Sequence, residues 1–221
     1  GGDKTLPYWP IAEEENPFLG VRGIRLTLQR PQIMEAQLRA LLRSADNRPP
    51  RIMFPMVGSV DEWRAARDMT ERLRLEIPVA DLQLGIMIEV PSAALLAPVL
   101  AKEVDFFSVG TNDLTQTAFG LSRDDSGPFL AYYQENGILP ADPFQAIDRP
   151  GIGALMKIGV QKGRCTRPDL KVGICGEHGG EPSSVEFCHA IGLDYVSCSP
   201  YRVPIARLAA AQAAIKERRG E

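Results

Sequence analysis

The stretch FFSVGTNDLT, from Phe106 to Thr115, decides the fold of this chain. Its first residues are apolar and are followed by Gly-Thr-Asn-Asp, and a segment with helical character begins at Leu114. The pattern predicts a buried strand that ends in polar groups and is followed at once by a helix. A functional site is therefore expected at the carboxyl end of this strand.

The preceding strand carries a second acid. The run LGIMIEV, from Leu84 to Val90, is almost wholly apolar except for Glu89, and Pro91 then opens the next helix. A carboxylate in such a strand is costly to bury unless it is paired or binds a metal. Glu89 and Asp113, at the ends of two successive strands, are candidate oxygen ligands for a hard divalent cation. The alternative is that Asp113 only caps a helix and Glu89 pairs with a buried arginine.

Strand followed by helix recurs about six times along the chain, after a loop over residues 1–17. The expected strands are 20–28, 51–57, 82–90, 105–110, 170–175 and 195–198, and the expected helices are 32–44, 60–75, 92–103, 113–119, 129–135, 152–162, 183–191 and 204–218. Ser59 and Glu62 form a capping-box pattern at the start of the second helix.

This alternation predicts an α/β fold with parallel strands joined by crossover helices. We predict a (β/α)8 barrel of the TIM type that lacks its first two strands and forms one domain over residues 1–221, because the polar residues gather at the carboxyl ends of the strands. A doubly wound open sheet is the alternative.

Composition narrows the functional classes. The 221 residues are 44% hydrophobic and carry a net charge of −3 without a basic block, which argues against binding to nucleic acid or to an anionic membrane. The apolar runs are too short to span a bilayer. The four cysteines have the spacing of neither a zinc site nor a disulfide framework, so we expect reduced thiols and a cytoplasmic location.

Several further strand ends carry side chains that could bind a substrate or take part in catalysis. Arginines that converge on a metal site indicate an anionic substrate such as a phosphate or carboxylate. Cys175 ends an apolar strand and is either an acid or nucleophile, or a small buried hydrophobe. His178 is either a titrating group or a structural hydrogen bonder. The candidates at strand ends, besides the two acids, are Arg22, Arg25, Ser108, Asn112, Arg123, Cys175, Glu177 and His178.

Four segments resemble the PEP/pyruvate-binding domain of PEP-utilising enzymes. They are IEVPSA (88–93), FFSVGTNDLTQ (106–116), GICGEHGGEPSSVEF (173–187) and YVSCSPYRVPIARLAAAQ (195–212). Residues 1 to about 100, with GGDK and NPFLGVRGIR, resemble enzyme I of the bacterial sugar phosphotransferase system. Residues from about 105 onward, with SRDDSG, DPF and CGEHGG, resemble pyruvate phosphate dikinase. The chain is thus either a family member intermediate between the two or a spliced or designed chain.

The resemblance implies a (β/α)8 barrel with its active site at the carboxyl ends of the strands. It implies that Glu89 and Asp113 bind Mg²⁺, that Arg22 holds the phosphoryl group, and that Cys175 protonates the enolate to give pyruvate. The substrate-binding residues that it implies are Arg22, Ser108, Gly110, Thr111, Asn112, Asp113 and Arg123.

The resemblance also implies partners. The phosphoryl group is exchanged with a histidine of a separate domain, and neither His178 nor His189 has the sequence context of that histidine. A homodimer is expected. The first two strands of the family barrel, which carry further arginines, have no counterpart, so we expect weak binding of PEP or pyruvate and no complete transfer by this chain alone. The alternatives are a PEP-protein phosphotransferase of the enzyme I type, a non-catalytic dimerising fragment, and a metal-dependent barrel that cleaves 2-oxo acids.

Overall fold

The structure is a computed structural model that describes residues 12–45 and 48–220. Contacts divide the chain into two compact units, residues 1–87 and 88–221, and each is described by itself. The single domain over residues 1–221 stays a prediction. The loop expected over residues 1–17, with its GGDK motif, lies largely outside the described residues.

The described residues of the first unit form two parallel strands and three helices. In β1 and β2, Arg51 is opposite Gln83 and Phe54 is opposite Ile86. The elements are α1 (Ile24–Gln29), α2 (Pro31–Arg43), β1 (Arg51–Phe54), α3 (Val60–Glu76) and β2 (Gln83–Ile88), whose last residue already belongs to the second unit.

Helix α3 shows why the sequence folds as it does here. The Ser59 side chain accepts a hydrogen bond from the Glu62 amide, and the Glu62 carboxylate accepts one from the Ser59 amide, so the predicted capping box is confirmed. Trp63 and Leu73 lie on the buried face of the helix. The Trp63 ring meets Phe54 of β1 edge-on, with ring centroids 6.1 Å apart.

The strand predicted over residues 20–28 is wrong, because this segment forms helix α1. Gly23 has φ +54°, which breaks an extended path just before the helix begins. The Thr27 hydroxyl then donates back to the carbonyl oxygens of Gly23 and Ile24, at 3.3 and 3.1 Å. The weak alternation of apolar residues on which the prediction rested was therefore not sufficient to form a strand in this segment.

The second unit contains three parallel strands in chain order. Phe106 to Gly110 of β3 pair in register with Lys171 to Cys175 of β4, and Gly173 of β4 is opposite Tyr195 of β5. The elements are α4 (Pro91–Leu95), α5 (Ala97–Leu100), β3 (Phe106–Gly110), α6 (Thr111–Phe119), α7 (Gly127–Glu135), α8 (Ile152–Thr166), β4 (Lys171–Cys175), a 3-10 turn (Glu177–Gly180), α9 (Pro182–Ala190), β5 (Tyr195–Val196), a second 3-10 turn (Pro200–Arg202) and α10 (Val203–Arg219).

Helices lie between consecutive strands, so the predicted α/β class with parallel strands is confirmed. Five of the six expected strands are present in the described part of the chain. The helix expected over residues 92–103 is divided into α4 and α5 at Leu96, just before Pro98, which has no amide proton for a continuous helix. None of the described helices has the length and apolar character needed to cross a membrane.

Candidate active site

The junction of β3 and α6 places the polar residues of the GTND motif. Every residue of β3 is buried, and α6 begins at Thr111, directly after the strand ends at Gly110. Asn112 and Asp113 therefore lie in the first helical turn. Ser108, one of the predicted substrate-binding residues, is only 2% exposed within the strand.

The end of β4 lies beside this junction. Cys175 is opposite Gly110 in the strand register, and the Cys175 carbonyl oxygen is 3.3 Å from the Thr111 hydroxyl. Gly176 follows with φ +105°, and a Cβ atom there would come within 3.3 Å of the same hydroxyl. A residue other than glycine would be strained at this position, so Gly176 is needed for the close approach of the two strand ends.

Negative side chains surround the Cys175 thiol. Burial raises the pKa of this thiol; a hydrogen bond with Ser108 lowers it, and the charges of Glu89, Asp113 and Glu177 raise it further. The thiol also lies 3.6 Å from the Val109 carbonyl oxygen, to which it donates. At neutral pH the group is a protonated thiol, which suits an acid better than a nucleophile.

The two predicted metal ligands belong to the same unit. Glu89 follows β2 and is only 3% exposed. The Thr117 hydroxyl is 3.4 Å from the Glu89 carbonyl oxygen and 2.7 Å from that of Asp113. The contact with Asp113 joins residues four apart on α6, whereas the contact with Glu89 places α6 beside the residue that follows β2.

A chain of hydrogen bonds links Asp113 to the loop after β4. The Gln116 amide donates to Asp113 Oδ1 at 3.1 Å, and the Arg123 backbone N–H donates to Gln116 Oε1 at 2.8 Å. The Arg123 guanidinium donates to Glu177 Oε1 at 3.0 Å, and the Asn112 amide donates to Glu177 Oε2 at 2.5 Å. Asn112 and Asp113 are neighbours in sequence, so the five residues form a closed ring.

Glu177 is ionised within this ring. Burial opposes its charge, but the hydrogen bonds from Asn112 and Arg123 outweigh that effect and lower the pKa of the carboxyl below its ordinary value. Glu177 was one of the candidates at strand ends but not one of the predicted binding residues, and Gln116 was in neither group. The spacing of Gln116 three residues after Asp113 on a helix was an available signal for their contact. No local signal relates Glu177 to Asn112, because they are distant in sequence.

His178 is a buried hydrogen bonder and has no exposed surface. Its Nε2 lies 2.9 Å from the Pro143 carbonyl oxygen, and its Nδ1 lies 2.6 Å from the Thr111 hydroxyl. Burial lowers the pKa of His178, although the hydrogen bond to Pro143 acts against this. The neutral ring therefore donates from Nε2 to Pro143 and accepts the Thr111 proton at Nδ1. Of the two roles open from the sequence, the contacts favour the structural one.

The predicted residues divide between the two units. Ser108, Gly110, Thr111, Asn112, Asp113, Arg123, Glu89 and Cys175 all belong to the second unit. Arg22 belongs to the first unit, where its guanidinium lies over the Phe18 ring at 5.3 Å from the centroid. The role of Arg22 therefore stays a prediction from its sequence motif.

The oxygen groups of the site fit a magnesium ion. Glu89 and Asp113 offer carboxylates, and Asn112 Oδ1 is a buried acceptor that has no hydrogen-bond partner among the described residues. No group of three or more His, Cys, Asp or Glu side chains suited to a metal occurs in residues 12–45 and 48–220. Mg²⁺ commonly uses one or two carboxylates and completes its shell with water and ligand oxygens, so two acids suffice for it.

A cavity opens beside the site. It has a volume of about 340 Å³ and is lined by Asn112, Gly176, Glu177, Ser197, Cys198, Ser199 and Arg202. A second cavity, of about 500 Å³, includes Arg123, Glu177, Glu181 and Arg202 in its wall. Asn112, Arg123 and Glu177 each line at least one of these cavities, so these three ring residues are reachable by a small ligand.

Comparison with known proteins gives consistent results. The family described as "PEP-utilising enzyme, PEP-binding domain" matches residues 1–215. Pyruvate, phosphate dikinase of Clostridium symbiosum is 50% identical over 218 residues, which is 93% of this chain and 25% of that protein. Pyruvate, phosphate dikinase 1, chloroplastic, of Arabidopsis thaliana is 50% identical over 96% of this chain and 23% of its own length. The chain spans about a quarter of the length of these relatives.

A structural likeness concerns the fold alone. A citrate lyase from Burkholderia xenovorans superimposes with a TM-score of 0.58 and 15% sequence identity, over 84% of this chain and 60% of that one. The dikinase matches cover both the part of the chain with enzyme I-like motifs and the part with dikinase-like motifs. One kind of relative thus accounts for both parts.

Proposed function

Because the chain belongs to the family of PEP-binding domains of PEP-utilising enzymes, we propose that it is the PEP/pyruvate-binding part of an enzyme of the pyruvate, phosphate dikinase type. In this proposal the phosphoryl group of PEP is exchanged with a histidine on another domain of the parent enzyme. The identity of about 50% to dikinases over more than nine tenths of the chain supports this choice over enzyme I.

We propose that the fold is part of a (β/α)8 barrel. The parallel strands with intervening helices, the polar groups at their carboxyl ends and the likeness to the citrate lyase support it. The homodimer and the phosphohistidine-bearing domain are proposed from the family resemblance. The cytoplasmic location stays a prediction: all four cysteines are free thiols, while plant relatives are described as chloroplastic.

The observation that carries the functional proposal is the setting of Cys175. The thiol is protonated and half-buried, and the negative charges of Glu89 and Asp113 contribute to its raised pKa. When the phosphoryl group leaves PEP, an electron pair remains on the enolate, and its methylene carbon takes a proton from the Cys175 thiol to give pyruvate. The thiolate then regains a proton from solvent.

The residues around Cys175 prepare this step. Glu89 and Asp113 would hold Mg²⁺, which supplies positive charge against the enolate and phosphoryl oxygens. Arg123 contributes a further positive charge, and Asn112 contributes an amide N–H that orients the substrate. Because the side chains of Asn112, Asp113 and Arg123 are held by hydrogen bonds in the structure, little reorganisation of them is needed during the reaction.

Calorimetry with oxalate, a mimic of the enolate, tests the proposed site. We expect the wild-type chain to bind oxalate in the presence of Mg²⁺ and to lose this binding in Glu89→Ala and in Asp113→Ala. The matched control is Glu186→Ala, which removes an exposed glutamate that pairs with Lys216 at 2.8 Å. Absence of wild-type binding, or binding that survives both acid substitutions, would contradict the proposal and favour the non-catalytic alternative.

Exchange of pyruvate methyl protons tests the role of Cys175. In D₂O with Mg²⁺, the chain should catalyse deuteration of the pyruvate methyl group, which ¹H NMR follows directly. Cys175→Ala should slow this exchange about 100-fold or more while oxalate affinity is unchanged. If the variant instead loses oxalate binding, Cys175 is needed for the shape of the site and its role as the acid is wrong.

A further inference from the structure

Two donors converge on Glu177. The Asn112 amide nitrogen donates to one carboxylate oxygen at 2.5 Å and the Arg123 guanidinium donates to the other at 3.0 Å. Arg123 is fixed a second time, since its backbone N–H donates to Gln116, which in turn donates to Asp113. The Glu177 carboxylate thus binds the side chains of two residues, Asn112 and Arg123, that the proposed function identifies as substrate-binding.

The contact with Glu177 determines how the Asn112 amide is turned. An ionised carboxylate only accepts hydrogen bonds, so the amide must present its NH₂ group to Glu177. The opposite orientation would bring two acceptor oxygens together at hydrogen-bonding distance. Asn112 Oδ1 consequently faces a buried position, where it has no hydrogen-bond partner in the described part of the chain.

A buried acceptor without a donor costs free energy, and such a group in a folded protein calls for a ligand, an ion or a water. PEP, pyruvate and oxalate do not supply the donor. At neutral pH they carry carboxylate, phosphoryl and carbonyl oxygens, all of which accept. In a complex of Mg²⁺ with these anions, the groups that can satisfy Oδ1 are the cation itself and the waters that it retains.

We propose that Glu177 is a positioning residue that holds the Asn112 amide so that Oδ1 coordinates the cation or accepts a hydrogen bond from one of its bound waters. This inference rests on the proposed function, because it requires a divalent cation beside Asp113. The two ends of the Asn112 amide then have different partners. The nitrogen donates to Glu177, and the oxygen faces the cation or one of its waters. Glu177 itself touches neither substrate nor cation.

The first test needs no ligand. In ¹⁵N NMR spectra of the full chain, the side-chain amide signals of Asn112 are identified by their loss in Asn112→Ala. Glu177→Ala should move both amide proton shifts of Asn112 toward the values of a solvated asparagine, because the anchor is gone. The control Glu186→Ala should leave them in place. Unchanged Asn112 signals in Glu177→Ala would overturn the proposal.

The second test measures coupling. Calorimetry of Mg²⁺ with oxalate should show about 10-fold weaker binding in Asn112→Ala and in Glu177→Ala, a typical loss when a supporting contact of a metal site is removed. The double variant should be no weaker than either single variant, because both remove the same contact. Additive losses would overturn the proposal, since the two residues would then act independently.

Titration with Mg²⁺ alone tests whether the partner of Asn112 Oδ1 comes with the cation or requires oxalate. We expect the Asn112 side-chain carbonyl ¹³C signal to shift in the wild-type chain and not in Glu177→Ala. A shift that requires oxalate in addition to Mg²⁺ would contradict the assignment to the cation. If the wild-type chain binds neither Mg²⁺ nor oxalate, the proposed function fails and the cation contact fails with it, while the ligand-free spectra still decide whether Glu177 turns the amide.

Discussion

At the scale of single residues, the Thr111 hydroxyl contacts two other residues of the site, His178 and Cys175. It lies 2.6 Å from His178 Nδ1 and 3.3 Å from the Cys175 carbonyl oxygen, while the other side of the His178 ring holds the Pro143 carbonyl. A neutral imidazole satisfies both of its contacts, because Nε2 donates to the Pro143 carbonyl and Nδ1 accepts from the Thr111 hydroxyl. The loop that contains Pro143 is thereby tied to the end of β4.

His178 makes the stability of the chain depend on pH. Because burial lowers its pKa in the folded state, the unfolded chain binds a proton more readily below about pH 6.5. The contribution of His178 is fully present above that pH and is lost as the pH falls toward the lower, folded-state pKa. We expect His178→Gln to remove up to about 1.4 kcal/mol per pH unit of this dependence, measured by urea unfolding between pH 7.5 and 5.5.

The only other histidine provides the control. His189 is paired with Glu217 at 3.0 Å on the surface of the second unit. Because an exposed ion pair contributes little to stability, His189→Gln should leave the free energy of unfolding at pH 7.5 nearly unchanged. The explanation fails if the His178 variant keeps the full slope, or if the His189 variant loses as much stability as the His178 variant.

At the scale of elements, Asp194 joins three parts of the second unit. Its carboxylate accepts from the Val172 backbone N–H at 2.8 Å and pairs with Arg164 of α8 at 2.8 Å and with Lys171 of β4 at 3.0 Å. The short strand β5 begins at the next residue and makes two register pairs with β4. Asp194 therefore supplements a brief strand pairing with side-chain contacts.

We expect Asp194→Asn to lower the free energy of unfolding by about 1–3 kcal/mol at pH 7, because charged hydrogen bonds are replaced by weaker ones. Burial acts against the Asp194 charge, but Val172, Lys171 and Arg164 outweigh it and lower its pKa. The stabilisation is present above about pH 4 and is lost as the pH falls through the folded-state pKa. The difference between the two proteins, measured by urea unfolding, should thus shrink toward pH 3.

Asp169→Asn is the matched control for this experiment. Asp169 is 83% exposed and lies 3.7 Å from Arg167, a pair that contributes little to stability. Its replacement should leave unfolding nearly unchanged. An equal loss in both variants would mean that charge alone, rather than the position of Asp194, stabilises the unit.

Elements with strong local signals were predictable from the sequence. The run LKVGIC gave a strand at residues 170–175 and β4 occupies Lys171–Cys175, because an apolar run between polar loops has few other solutions. The strand expected at residues 20–28 had weak alternation and formed α1 instead. The ring around Glu177 was not predictable, because it depends on a register that pairs Gly110 with Cys175 across two distant segments.

At the scale of the whole molecule, the family assignment and the residue chemistry agree, but they concern different ranges of residues. The family assignment extends over residues 1–215, whereas the contacts that carry the proposed chemistry lie in the second unit. With a chain that spans about a quarter of its relatives, we expect analogue binding and methyl exchange without net formation of PEP from ATP, phosphate and pyruvate.

The division of the chain also separates two natural reporters. Both tryptophans, Trp9 and Trp63, fall within residues 1–87, whereas all four cysteines fall within residues 88–221. Trp63 and Cys188 are buried, and burial raises the pKa of the Cys188 thiol to about 12. The fluorescence of Trp63 therefore follows the first unit, and labelling of Cys188 by a disulfide reagent follows the second.

If residues 1–221 form the single domain predicted, fluorescence and thiol labelling should give the same midpoint in urea. The exposed Cys165 reacts before unfolding and supplies an internal reference for the labelling. Two separate midpoints would contradict the single domain. Neither reporter has to be introduced by mutation. The unmodified chain therefore reports the unfolding of each unit by a separate signal.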